Sequence, residues 1–164
     1  MSEYRIAAPG AVLAPRRCLS GVRILLIDGC EATAETLRRF AAESGARLRR
    51  ADSIASAHRH LAICRPDVIV VDLDLPEGGG LVLIRALATA LGRSGAIVAT
   101  SARARGSWES RARSAGAAAC LQKPVTNLRA FQTCMLGFVP NRGVKAVVVE
   151  QRRDGRRHAE LTAS

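Results

Sequence analysis

The chain has 164 residues, 48% hydrophobic and 24% charged, with six prolines and no long polar tract, which fits one ordinary globular domain and excludes a disordered or fibrous protein. At this length folding buries roughly 70% of the surface exposed by the unfolded chain, enough for one real core and too little for two full domains. The formal charge of +11 rests on 23 Arg and 2 Lys and is spread along the chain, +2 in residues 1–20, +6 in 21–139 and +3 in 140–164, so it reads as a solvated Arg-rich surface.

Residues 1–20, interrupted by Pro9, Gly10, Pro15, Arg16 and Arg17, read as a flexible arm and carry no signal segment. From residue 21 to 139, apolar runs alternate with segments of helical period. The runs are Val22–Ile27, a weaker Arg47–Arg50, Val68–Val71, Ala96–Ala99 and Ala118–Leu121, and the nearly continuous ones fit strands covered on both faces. Between them, Glu31–Ser44 places Leu37, Phe40 and Ala41 on one face and ends at Gly45. Ser53–Cys64 follows, with Ser53 as cap, Ile54, Ala57, Leu61 and Cys64 on a face, and Pro66 closing it. Gly80–Leu91, Ser107–Ala115 and Thr126–Phe138 supply three more helices, the last with Leu128, Phe131, Met135 and Phe138 inward. Five such pairs predict an α/β domain with a parallel sheet. Right-handed crossovers make it a three-layer sandwich with its chemistry at the carboxyl ends of the strands.

Residues 140–164 form an extension of undecided structure. In it Val144–Val149 reads either as an edge strand or as a helix packing on a partner. No run of about 18 apolar residues occurs, so no membrane is expected and the protein is placed in the cytoplasm. Cys18, Cys30, Cys64, Cys120 and Cys134 are odd in number and contain no C-x-x-C pair, which points to reduced, mostly buried thiols.

The polar residues at the strand ends are Asp28, Asp72, Thr100 and Lys123. They deliver two carboxylates, a hydroxyl and an amine to one edge of the sheet. Each singly has a structural explanation, as a loop opener, a cap or a surface residue; their concurrence favours a site. In a chain that uses Lys only twice, Lys123 marks a place for a compact ammonium rather than a guanidinium.

Ile24-Leu-Leu-Ile-Asp28, Pro66-Asp-Val-Ile-Val-Val-Asp72-Leu-Asp-Leu-Pro76, Ile97-Val-Ala-Thr100-Ser-Ala, Ala115-Gly-Ala and Lys123-Pro124 resemble, in order, the receiver domain of bacterial response regulators. The resemblance runs from about Val22 to Phe138. It implies a flavodoxin-like, doubly wound, five-stranded parallel sheet of order 2-1-3-4-5. It also implies a signalling protein, not a turnover enzyme, that takes a phosphoryl group on Asp72 from a sensor histidine kinase or a histidine phosphotransfer protein. Thr100 and Lys123 would contact the phosphoryl group, and Asp28, Asp72 and Asp74 would hold Mg²⁺. The family's output surface falls at residues 107–138, where a downstream protein or a second copy of the chain would bind.

Two positions depart from the family pattern. Its adjacent acid pair reads Asp28-Gly29 here, so one carboxylate is missing. Asp74 either restores some of that charge for a weakly held Mg²⁺ or only caps a loop. Cys120 stands where an aromatic rotamer switch is common, and core packing is favoured there over a redox role.

Three other functions compete. A receiver-shaped module that works without phosphorylation is motivated by Gly29 and Cys120. Asp72-Leu-Asp74 resembles the nucleophile motif of haloacid-dehalogenase-type phosphatases, but no paired acid follows Lys123. Gly78-Gly79-Gly80 matches neither phosphate-binding glycine motif and is expected to form a tight loop after Pro76. Nucleic acid is not an expected partner, since one Trp, one Tyr and three Phe supply little stacking surface and residues 140–164 are too few for a helix-turn-helix domain.

Overall fold

A computed structural model describes residues 17–92 and 95–139. The elements are β1 (Arg23–Ile27), α1 (Glu31–Glu43), β2 (Arg47–Ala51), α2 (Ile54–Ile63), β3 (Val68–Asp72), α3 (Gly80–Leu91), β4 (Ala96–Ser101), α4 (Ser107–Ala115), β5 (Ala119–Gln122) and α5 (Leu128–Leu136). All strand pairs are parallel and the sheet order is β2-β1-β3-β4-β5, the doubly wound arrangement expected from the sequence.

Pleating sends alternate side chains to opposite faces, so each strand feeds two cores. Ile24, Leu26, Val68, Val70 and Val98 pack with Leu37 and Phe40 of α1 and Phe131 and Met135 of α5. Leu25, Ile27, Ile69, Val71 and Ile97 pack with Ala57, Leu83, Ile84, Leu87 and Trp108 from α2, α3 and α4. β3, central and covered on both sides, is buried throughout, which fits its unbroken Val-Ile-Val-Val run. β2 is an edge strand whose Arg47 and Arg49 are exposed, the physical reason its apolar signal is weak.

The helix ends follow local chemistry. Ser53 Oγ accepts the Ser56 N–H and starts α2 as expected. Asn127 accepts the Arg129 and Ala130 N–H groups, so α5 starts at Leu128, two residues after the expected Thr126. Gln132 is buried on α5 and donates to Ser44 Oγ at 3.0 Å, joining α5 to the end of α1 through a polar contact absent from the apolar pattern.

Residues 1–16 and the extension at 140–164, including Val144–Val149, lie outside the described residues. Arg17–Ser20 were expected within the flexible arm but form a turn on the domain. Cys18 and Leu19 are buried there, and the Leu19 N–H donates to the Ser44 carbonyl at 2.8 Å. The cysteines are all free, but only Cys18 is buried; Cys64, Cys120 and Cys134 are half-buried and Cys30 is exposed. Among the described residues no helix is long and apolar enough to cross a membrane.

Candidate functional site at the carboxyl edge of the sheet

Strand register assembles the site. Ile27 pairs with Val71, so Asp28 emerges beside Asp72; Asp72 pairs with Thr100; Ser101 pairs with Gln122, so Lys123 emerges at the same edge. The Lys123–Pro124 peptide is cis. Lys123 Nζ lies 2.7 Å from Asp28 Oδ2 and 2.8 Å from Asp72 Oδ2. Asp28 and Thr100 are fully buried and Asp72 is 4% exposed.

Two buried carboxylates thus share one ammonium. Burial raises the Asp72 carboxyl above its ordinary range; the Lys123 contact and the Asp74 N–H offset this only in part, and the Asp28 charge adds to it. Burial opposes the Lys123 charge, but hydrogen bonds and attraction from Asp28 and Asp72 outweigh it and hold the ammonium above the usual lysine range. The other oxygens are also fixed: Asp28 Oδ1 accepts the Cys30 N–H at 2.7 Å, and Asp72 Oδ1 accepts the Asp74 N–H at 2.9 Å. Ionic groups are seldom kept in an interior without such partners, and a cluster of this kind at the carboxyl edge of an open α/β sheet makes a candidate site. Thr100 Oγ1 donates to the Val71 carbonyl at a long 3.4 Å.

Asp74 is turned to a different task. Its Oδ2 accepts from Ser101 Oγ at 2.8 Å and from the Ala102 N–H at 3.1 Å, while Oδ1 lies 2.9 Å from Arg103 Nε. Burial works against its ionisation, but those hydrogen bonds and the Arg103 and Lys123 charges win and hold the carboxyl below the usual range. Among the described residues no three His, Cys, Asp or Glu side chains are grouped to hold a metal. Of the expected trio Asp28, Asp72 and Asp74, the structure brings Asp28 and Asp72 together at Lys123, while the Asp74 carboxylate caps the loop after β4. Two carboxylates against one ammonium leave a net negative charge, and this fits a divalent ion that takes one or two carboxylates and fills its shell with water and phosphate oxygens.

Where the family's second acid is absent, a cation stands nearby. Arg50, at the end of β2, donates to the Asp28 and Gly29 carbonyls, each at 2.9 Å, and pairs with Glu31. A Cβ on Gly29 would stand 3.1 Å from Pro76 Cδ and 3.2 Å from Cγ, so the two loops meet tightly here. Gly78-Gly79-Gly80 does form a tight turn: Gly78 and Gly79 have positive φ, and a Cβ on Gly80 would come within 2.8 Å of the Asp72 carbonyl.

Cys120 joins the core on the α4 side, and its thiol lies 3.8 Å from the Glu109 carbonyl. Burial raises it, the Arg113 charge lowering it less, as expected of a packing thiol.

Three contributors were not singled out by sequence. Arg50 is one of 23 Arg and nothing local marks it. Ser101 follows Thr100 without a motif of its own. The Gln122 carboxamide donates to the Ser101, Arg103 and Lys123 carbonyls, and its place just before Lys123 was the one available signal.

Residues 24–133 match the family described as the response regulator receiver domain. Similar solved structures include a response regulator from Thermotoga maritima (19% identity, TM-score 0.65, 71% of this chain and 96% of that one). The chemotaxis protein CheY4 of Vibrio cholerae is comparable (17% identity, TM-score 0.65, 72% and 98% covered). A response regulator protein from Burkholderia pseudomallei, whose structure holds a phosphorylated aspartic acid, a calcium ion and citrate, shares 28% identity (TM-score 0.63, 73% and 68% covered). None of the curated proteins matches the chain.

Proposed function

The chain belongs to the response regulator receiver family, and on that premise we propose that it is a phosphoacceptor whose Asp72 takes a phosphoryl group in two-component or phosphorelay signalling. The observation that carries this reading is the pairing of buried Asp28 and Asp72 with the half-buried Lys123, whose Nζ lies 2.7 and 2.8 Å from the two carboxylates. A carboxylate oxygen of Asp72 attacks the phosphorus of a phosphohistidine or of a small acyl phosphate. The P–N or P–O bond of the donor breaks, its electron pair leaves with the donor, and Asp72 becomes an acyl phosphate.

Lys123 supplies a fixed positive charge for the transferred oxygens, already positioned before the reaction. Thr100, whose present bond to the Val71 carbonyl is long and easily exchanged, donates to a phosphoryl oxygen and carries the change into β4. Asp28 and Asp72 are the side chains that would hold Mg²⁺, which when bound neutralises the phosphoryl charge.

The donor is a sensor histidine kinase or a histidine phosphotransfer protein of the cytoplasm. The output face is residues 107–138, comprising α4, β5 and α5, and its partner is a downstream protein or a second copy of this chain. The protein signals through its phosphorylated state and has no turnover substrate beyond hydrolysis of its own acyl phosphate. A second function, binding without phosphorylation, is favoured by one observation: Arg50 rather than an acid flanks Gly29.

Intact mass after incubation with acetyl phosphate and Mg²⁺ tests the proposal. It predicts one phosphoryl adduct, lost in Asp72→Asn and in chelator. No adduct on folded protein, under conditions that label an ordinary receiver, favours the phosphorylation-independent module.

A further inference from the structure

At the opposite end of β1 from Asp28, a crevice of about 130 Å³ lies between α2 and the β1–β2 edge. Arg23, Arg47, Arg49, His60, Cys64 and Arg65 line it with the apolar residues at its floor. Arg23 is neutralised by Asp67, which takes both its Nε and its Nη2. Arg47, Arg49 and Arg65 make no ion pair among the described residues, and all three are exposed.

The backbone brings these cations together. Arg23 and Arg47 are register partners on neighbouring strands, which places them about 4.8 Å apart across the sheet. Arg47 and Arg49 are two residues apart on one face, roughly 6.6 Å along the strand. That face is the α2 side, because Ala51, two residues further on, packs with Ala57 of α2. The dipole at the carboxyl end of α2 accounts for a cation such as Arg65 but not for two guanidinium groups on β2. His60 adds a polar atom: its Nδ1 is buried with no hydrogen-bond partner among the described residues.

We propose that this crevice binds a small polyphosphorylated anion, independently of the Asp72 site. Guanidinium groups grip phosphate oxygens two at a time, and backbone spacings of about 5–7 Å leave these long side chains able to converge on neighbouring phosphates. The crevice, about 130 Å³, has room for a phosphate group beside Arg47 and Arg49. Phe, Tyr and Trp are missing from its lining, so it lacks the stacking surface that a nucleic-acid strand would use.

Calorimetric titration of the full chain with pyrophosphate tests this, using Arg47→Gln/Arg49→Gln against Arg85→Gln/Arg111→Gln, a pair of exposed arginines elsewhere that removes the same charge. The proposal expects saturable binding, weakened about tenfold or more by the β2 pair and less than roughly twofold by the control pair. Thermal melts check that each variant folds, and if the β2 pair does not, Arg65→Gln replaces it with the same expected loss. Equal weakening in both pairs, or no saturable binding by wild type, overturns the proposal. Binding of a short DNA duplex without binding of pyrophosphate also overturns it, in favour of a nucleic-acid surface.

Discussion

The two sides of the Asp72 pocket are built differently. On the Lys123 side, two buried carboxylates are paired with one half-buried ammonium at 2.7 and 2.8 Å, and every carboxylate oxygen has a partner. On the Gly29 side the extra carboxylate is gone, Arg50 clamps the loop carbonyls, and Asp74 is drawn away to Ser101 and Arg103. The groups that the proposed phosphoacceptor role calls on are therefore all brought together, while the paired carboxylates that would hold a divalent ion are Asp28 and Asp72.

The largest expected effect comes from breaking the intact side. Lys123→Met leaves two buried carboxylates without a counter-charge and lowers folding stability by about 3–5 kcal/mol, read by urea unfolding. A loss below about 1 kcal/mol would mean that the ammonium is not shared as described.

Arg50→Gln sharpens the other side. It removes charge-assisted bonds to two carbonyls and to Glu31, for an expected loss of about 1.5 kcal/mol, and amide exchange should accelerate in the Asp28–Glu31 loop. Unchanged exchange in that loop would show that Arg50 does not hold it.

Asp74→Asn gives the smallest change and separates loop capping from metal binding. With its carboxyl held below the usual range, Asp74 contributes stability that is fully present above about pH 4 and is lost as pH falls through the folded-state value. The melting-temperature gap between wild type and variant should therefore close on acidification, while the Mg²⁺ dependence of labelling stays the same. A weakened Mg²⁺ dependence would return Asp74 to the metal site.

Much of this was legible in the chain itself. Apolar runs fixed the order of strands and helices, because β1, β3 and β4 bury both faces and show it in composition. Asp28, Asp72, Thr100 and Lys123 stood out because each ends a strand, and parallel pairing brings strand ends together. The fate of Asp74 was not legible: its spacing from Asp72 allows a metal-facing or a loop-facing rotamer, and Ser101 and Arg103, distant in sequence, decide between them. Arg50 was hidden for a similar reason, since its role depends on which carbonyls lie across the β1–β2 edge. The turn at Arg17–Ser20 was missed because Pro15, Arg16 and Arg17 masked two buried apolar residues.

The most direct measurement restores the missing acid. Gly29→Asp places a carboxylate beside Asp28 if Pro76 gives by a few tenths of an ångström, and Pro76 is exposed enough to move. Labelling of Asp72 by acetyl phosphate would be followed against Mg²⁺ concentration in wild type and in this variant. The account predicts the same final extent of labelling, with half-maximal Mg²⁺ about tenfold lower in Gly29→Asp. Coincident Mg²⁺ curves from two equally folded proteins would contradict it, because the Gly29 side would then not be what limits the metal.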